Sequence, residues 1–118
     1  MTSSLDTQIK KYLEPLLKRK IKSLTAMDIS DLTSYTDTII IVEAGSRRQV
    51  SSVAEHVVKE LKKDNIKTLS AEGIKDGEWA LLDYGDTIIH IFESETKRLY
   101  DLEGLWTDAP RLDLSEYD

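Results

Sequence analysis

The stretch Asp37-Thr-Ile-Ile-Ile-Val-Glu-Ala44 decides which fold this sequence can adopt. Its centre is a nearly continuous run of β-branched apolar residues, which is typical of a central strand that is buried on both faces. Gly45 ends the strand, and Ser46-Arg-Arg-Gln49 follows with Ser and Gln at the spacing of a helix-capping box. A strong strand that leads directly into a helix predicts a sheet with helices packed on it.

The hydrophobic pattern on either side of this stretch predicts the remaining elements. The predicted helices cover residues 5–20, 46–64 and 95–105. The further predicted strands cover residues 26–31, 67–72, 79–84 and 87–92, and the last two form a hairpin about Tyr84-Gly85. Pro15 is expected to kink the first helix or to end its first half. The order α-β-β-α-β-β-β-α indicates an α/β domain with a single mixed sheet and flanking helices.

The length of 118 residues fits one domain, which we assign to residues 1–110. Residues 111–118 are assigned to an acidic C-terminal tail, and the Pro-containing segment from residue 107 onwards is expected to be loose. No apolar run approaches the ~20 residues of a membrane helix. The first six residues have no basic or Arg-rich leader pattern, so we expect a cytoplasmic protein without a membrane partner.

The composition limits the chemistry that the chain can perform. It has no cysteine, which excludes disulfides, thiolate nucleophiles and cysteine-type zinc sites. The net charge of −6 makes the chain a poor candidate for binding nucleic acid and better suited to a basic protein partner. A basic run at residues 18–22 is interpreted as a solvated helix end that complements the helix dipole.

The junction Gly45-Ser46 has two possible interpretations. A Gly-Ser turn before a helix can hold a phosphate on free backbone N–H groups, as nucleotidyltransferases do. That chemistry also needs paired carboxylates on a following strand to hold Mg²⁺, and no Asp-x-Asp or Asp-x-Glu pattern appears there. Helix capping is therefore favoured, and a nucleotide-binding activity at this turn stays the weaker alternative.

The predicted hairpin carries Asp83, Asp86 and His90, which raises the question of a metal or catalytic cluster. A metal site needs three or more convergent ligands, whereas aspartates that flank a Tyr-Gly turn commonly bond to the turn backbone. Strand alternation places His90 on one face with Ile88 and Phe92. We therefore expect no metal, and no serine lies in a hydrolase-type motif.

Five of the eight aromatic residues lie between residues 79 and 106. They are Trp79, Tyr84, Phe92, Tyr100 and Trp106. Trp and Tyr are enriched at the centres of protein interfaces, so part of this set predicts a recognition surface. The alternative, that these rings pack the last helix onto the sheet, has nearly equal weight on composition alone.

Several short motifs, in order and spacing, resemble the Iojap family of ribosomal silencing factors. They are Asp28-Ile-Ser-Asp31, Gly45-Ser-Arg-Arg-Gln-Val50, Glu72-Gly73 before Trp79, Leu82-Asp-Tyr-Gly-Asp86, His90-Ile-Phe92, Tyr100-Asp-Leu-Glu-Gly-Leu-Trp106 and Asp108-Ala109. The resemblance covers roughly residues 5–110. It implies a nucleotidyltransferase-like fold without enzymatic activity or cofactor. It also implies binding to the large ribosomal subunit through its ribosomal protein fourteen, which blocks joining of the small subunit and represses translation.

The resemblance also implies which residues contact the partner. They are Trp79, Leu81, Asp83, His90, Tyr100 and Trp106. In this interpretation Trp79 and Leu81 are apolar anchors, Asp83 and Glu103 meet basic side chains, and His90 donates a hydrogen bond. Two further possibilities remain at this point, namely a role in large-subunit assembly through the same contact and a homodimer.

Overall fold

The structure is a computed structural model that describes residues 4–101, 104, 109–112 and 114, and the side chains from residue 9 onwards. Its helices are α1 (Ser4–Leu17), α2 (Arg47–Lys63) and α3 (Ser94–Tyr100). Its strands are β1 (Ser23–Asp28), β2 (Thr38–Ala44), β3 (Ser70–Glu72), β4 (Trp79–Asp83) and β5 (Thr87–Glu93). The order of these elements confirms the predicted α/β fold.

One mixed sheet contains all five strands, in the order β1-β2-β5-β4-β3. Strands β2 and β5 run parallel at its centre, and the other neighbours are antiparallel. The predicted central strand does lie centrally, and six of its seven residues are buried. Because β2 and β5 are parallel, their carboxyl ends lie at the same edge of the sheet, where α2 and α3 begin.

Helices α1 and α2 pack together on one face of the sheet and enclose the larger part of the core. The predicted stripe of α1 is confirmed at Ile9, Tyr12, Leu13 and Leu16, which are all buried. The helix continues past Pro15 but ends at Leu17, so the predicted end at residue 20 is wrong. The basic residues 18–22 consequently form the loop after α1 and are not a helix end.

The opposite face of the sheet carries a second, smaller cluster of buried side chains. It contains Met27, Ile29, Ile39, Ile41, Phe92 and Ala109, with Trp79 packed against it. Part of the C-terminal segment returns to the sheet, because Met27 pairs with Arg111 in an isolated bridge and Leu112 N–H donates to the carbonyl of Ala26. The expectation of a loose segment is therefore wrong for the described residues 109–112.

Two element boundaries differ from the sequence prediction for local reasons. Strand β1 begins at Ser23 and ends at Asp28, because the Asp28 carboxylate accepts hydrogen bonds from the backbone and hydroxyl of Ser30 and turns the chain. Helix α3 ends at Tyr100 because Asp101 adopts a left-handed conformation with φ of 42°. None of the described helices is long and apolar enough to cross a membrane.

Candidate recognition surface

The hairpin of β4 and β5 places the candidate residues side by side. In its antiparallel register Trp79 lies opposite Phe92, Leu81 opposite His90, and Asp83 opposite Ile88. These residues project from the sheet face that α1 and α2 leave open, since the alternate residues of both strands belong to the core beneath the two helices. The shared face that alternation predicts is thus present.

Trp79 is the centre of an aromatic patch that we define as Trp79, His90, Phe92 and Tyr100. Its ring centroid lies 4.9 Å from that of Phe92 and 4.9 Å from that of Tyr100. The His90 ring lies 5.8 Å from the indole and 6.0 Å from Phe92. Contacts at these distances are favourable between aromatic rings, so the four side chains hold one another in place.

The patch has a buried base and an accessible edge. Phe92 is fully buried and His90 is only 7% exposed, whereas Tyr100 is 60% exposed and Trp79 is half-buried. Phe92, which the sequence left between core and surface, is therefore a core residue. The accessible aromatic surface comes from Trp79 on a strand and Tyr100 on α3, which is the residue combination typical of an interface anchor.

The indole Nε1 of Trp79 donates a hydrogen bond to Nδ1 of His90 at 3.0 Å. Because Nδ1 accepts this bond, the neutral ring carries its proton on Nε2. Burial lowers the pKa of His90 from its ordinary value to about 4, so the imidazole stays neutral near pH 7. His90 thus acts first as a support that fixes the orientation of Trp79, beside the donor role that the resemblance implies.

The two hairpin aspartates have different functions in the turn. The Oδ1 atom of Asp83 accepts the backbone N–H of Gly85 at 2.8 Å, which confirms its prediction as a turn former. The carboxylate of Asp86 instead accepts the hydroxyl of Tyr12 from α1 at 3.0 Å. The Asp86 side chain therefore connects the turn to helix α1, in place of the predicted contact with the turn backbone.

Two of the remaining candidate residues lie beside the aromatic patch. Leu81 and Asp83 are partly exposed on the same face as Trp79 and Tyr100. Trp106 and Glu103 lie outside the described residues. Leu99, 83% accessible on α3 beside Tyr100 in sequence, is an exposed apolar residue that the motifs do not indicate. The sequence does contain a signal for Leu99, namely an apolar residue next to a tyrosine in an otherwise polar helix.

Ser46 caps α2 as predicted, and the Gln49 side chain bonds one residue earlier than in a standard capping box. The Ser46 hydroxyl accepts the N–H of Gln49 at 3.2 Å, and the Gln49 side chain accepts the N–H of Gly45 at 2.8 Å. These bonds use backbone donors that a phosphate would otherwise need. Within the described residues no group of three or more His, Asp or Glu side chains is placed to hold a metal ion.

Comparison with known proteins gives the chain its family. The sequence profile described as "Ribosomal silencing factor during starvation" matches residues 2–118. The chain belongs to the family of ribosomal silencing factors. Ribosomal silencing factors of Chromobacterium violaceum and Haemophilus influenzae are 35% and 34% identical to it, each over 94 residues. These alignments cover 80% of this chain and 77% and 92% of the two relatives, respectively.

More distant relatives of this ribosomal silencing factor family come from organelles. A mouse protein named for mitochondrial assembly of the ribosomal large subunit is 26% identical over 95 residues, covering 78% of this chain and 42% of the mouse protein. The chloroplastic Iojap protein of Arabidopsis thaliana is also 26% identical over 95 residues, with 80% and 40% coverage. The sequence resemblance to the Iojap family is thus confirmed.

Solved structures agree with the fold. A crystal structure of a Chromobacterium violaceum protein superimposes with a TM-score of 0.81 at 34% identity, covering 86% of this chain and 85% of the other. A Bacillus halodurans structure, at 24% identity, also has a TM-score of 0.81 and covers 92% and 98%. Membership of the family connects the chain to translation regulation, and none of these comparisons assigns a role to an individual residue.

Proposed function

We propose that this protein binds the large ribosomal subunit through ribosomal protein fourteen and sterically blocks joining of the small subunit. The observation that carries the proposal is the accessible edge of the aromatic patch, where the tilted rings of Trp79 and Tyr100 lie with their centroids 4.9 Å apart. Leu81 extends this apolar surface. The factor acts in the cytoplasm, where free subunits are available, and needs neither a cofactor nor catalysis.

The charge around the patch supports a basic protein as the partner. Asp83 and Asp101 lie on the hairpin and at the end of α3, and neither carboxylate forms an ion pair within the described part of the chain. Basic side chains of a ribosomal protein would find opposite charges at the rim of an aromatic centre. Such an arrangement sets orientation and partner choice more than it adds affinity.

Rigidity supports the proposal as well. Trp79 is held by the stacked ring of Phe92, the tilted ring of Tyr100 and its hydrogen bond to His90, so little side-chain freedom remains to be lost on binding. Ordering a mobile side chain at an interface costs about 0.5–1.5 kcal/mol, and preorganisation avoids that cost. The patch therefore has the properties of a preformed docking surface.

A subunit-joining assay tests this proposal. Large and small subunits are mixed with saturating protein, and the fraction of joined ribosomes is read from a density gradient. Wild-type protein should keep the subunits apart, and Tyr100→Ala should restore joining. Tyr35→Ala is the matched control, because Tyr35 is also an exposed tyrosine, 70% accessible, in the loop between β1 and β2. Joining that proceeds unhindered with wild-type protein contradicts the mechanism, and equal effects of both variants contradict the assignment of the patch.

A second candidate function is large-subunit assembly, which the name of the mouse relative favours. Shielding the same ribosomal surface during maturation would need the same patch. Precursor particles that accumulate in a deletion strain, and disappear with the wild-type gene but not with Tyr100→Ala, would support this function.

A further inference from the structure

The net charge of −6 conceals an uneven distribution of charge along the sequence. Residues 10–22 and 47–64 hold eleven basic and four acidic side chains, a formal charge of +7. The remainder holds five basic and eighteen acidic side chains, a formal charge of −13. We propose that the helical layer, defined as α1, loop 18–22 and α2, binds the phosphate backbone of RNA through the cleft between loop 18–22 and α2.

The fold places these charges on one side of the molecule. Helices α1 and α2 cover the sheet face opposite the aromatic patch, so the two surfaces point in different directions. The basic side chains of loop 18–22 are exposed, as are Arg48 and Lys59 on α2. A molecule with such a distribution presents a strongly positive surface to a polyanion despite its negative total.

The cleft has a volume of about 660 Å³ and combines cations with hydroxyl groups. Its walls include Arg19 from the loop, with Arg48, Ser52 and Lys59 from α2. The guanidinium of Arg19 donates to Nδ1 of His56 at 3.1 Å, which fixes the loop cation against α2. A guanidinium held in this way has less freedom to lose when it meets a phosphate.

The acidic residues of the cleft are partly neutralised. Glu60 pairs with Lys63 at 2.9 Å, and this neighbour lowers the pKa of the Glu60 carboxyl. Glu55 has no ion pair in the described part of the chain, and neither do Arg48 and Lys59. Two cations of α2 are thus available to a ligand. The Glu55 carboxylate would repel an anion that is bound in the cleft.

The chemistry of the layer favours an RNA backbone over an acidic protein. The exposed surface of the cleft offers cations and hydroxyls and no aromatic ring other than the His56 imidazole among the described residues, which suits sequence-independent contact with phosphates. An acidic protein interface would need buried apolar anchors, and the aromatic patch that could supply them lies on the opposite face. This contact goes beyond the proposed docking to a ribosomal protein and does not depend on it.

Binding to RNA without any ribosomal protein tests the inference. The probe is a fluorescently labelled single-stranded RNA of about 20 nucleotides and mixed sequence, followed by anisotropy at roughly 50 and 200 mM salt. If about four phosphates are contacted, the affinity should fall on the order of 50-fold between these two concentrations. Arg48→Ala with Lys59→Ala should lower the slope of log affinity against log salt by about 0.7 for each phosphate that is no longer neutralised.

Three further variants show whether binding belongs to the helical layer. Glu55→Gln removes the opposing carboxylate and should tighten binding several-fold. Lys67→Ala with Lys75→Ala makes the same change in net charge outside the layer and should leave binding nearly unchanged. Tyr100→Ala should also bind RNA normally, which separates this contact from the aromatic patch.

The inference is overturned if wild-type protein does not bind the RNA at the lower salt concentration. It is equally overturned if the Lys67/Lys75 double variant weakens binding as much as the Arg48/Lys59 double variant. A third contrary result is displacement of RNA by polyglutamate as efficient as that by polyphosphate, because the layer would then be a site for acidic proteins. Failure of the proposed function would instead be seen as unhindered joining of the ribosomal subunits in the presence of wild-type protein.

Discussion

The indole of Trp79 and the imidazole of His90 form a 3.0 Å hydrogen bond across two neighbouring strands, with His90 as the acceptor. His90 is buried while Trp79 reaches the surface, so a core side chain determines the direction of an exposed one. The main role of His90 is therefore in the unbound protein, where it orients the Trp79 side chain before any partner binds.

Replacing His90 by leucine should weaken binding to the large subunit more than it changes stability. Leucine fills a similar apolar space but leaves the Trp79 N–H without its acceptor, which costs about 1 kcal/mol, or roughly fivefold in affinity. The affinity is measured by sedimentation with purified large subunits, and the indole N–H signal of Trp79 should shift in the NMR spectrum. An unchanged indole signal would show that His90 does not hold Trp79 in solution.

Stability should decline as the pH falls from about 6.5 to 4 because His90 resists protonation in the folded protein. Burial lowers its pKa to about 4, whereas the unfolded chain binds this proton near 6.5. The folded state is therefore favoured above pH 6.5, and this advantage is lost progressively towards pH 4, by roughly 2–3 kcal/mol in total. Urea unfolding at about pH 7, 5.5 and 4.5 measures the trend.

His56 contributes in the same direction, since burial and the nearby Arg19 lower its pKa. A His90→Gln variant, which cannot be protonated in this range, isolates the contribution of His90. Its unfolding free energy should change less between neutral pH and about pH 4.5 than that of the wild type. Parallel curves for the two proteins would exclude His90 as the source.

The central elements could be predicted from sequence because their signals are local. The β-branched run of β2 and the Ser46 cap of α2 each depend on residues close together in the chain, and both predictions are confirmed. Alternation similarly predicts which residues of β5 share a face with His90. In these places the local preference and the tertiary structure agree.

The sequence predictions fail where contacts between residues far apart in the chain determine the structure. The C-terminal segment lies on the sheet at Leu112 because its backbone N–H donates to the carbonyl of Ala26, far away in sequence. Nothing in the sequence near Asp86 reveals that its carboxylate meets Tyr12, 74 residues earlier. For the recognition surface, alternation gives the face of Trp79, but only the fold shows that α3 brings Tyr100 against it.

Removing the hydroxyl of Tyr12 should destabilise the protein, whereas removing that of Tyr84 should not. The two rings pack 5.1 Å apart, but Tyr12 donates to the Asp86 carboxylate, and the buried Tyr84 hydroxyl has no hydrogen-bond partner in the described part of the chain. Hydrogen bonds to charged groups contribute about 1.5–3 kcal/mol, and burying an unpaired hydroxyl is unfavourable. Tyr12→Phe should therefore lower the unfolding free energy, and Tyr84→Phe should leave it equal or raise it.

Urea denaturation of the two variants at neutral pH gives a direct comparison, because each loses the same single oxygen. Asp86→Asn combined with Tyr12→Phe should cost less than the sum of the two separate changes if the pair interacts. Equal losses for Tyr12→Phe and Tyr84→Phe would contradict the assignment of the hydrogen bond.

Gly73 should tolerate no side chain, and its replacement should disturb the aromatic patch as well as stability. Its φ of +76° is unfavourable for other residues, and a Cβ atom there would lie 2.0 Å from the backbone carbonyl oxygen of Trp79. Relieving this contact requires β4 to move at Trp79, its first residue. Gly73→Ala should therefore cost more than about 1 kcal/mol and weaken large-subunit binding. Gly45→Ala is the control, since its Cβ would meet mainly the flexible Gln49 side chain at 2.8 Å. A Gly73→Ala protein as stable as the Gly45→Ala protein would contradict the close approach to Trp79.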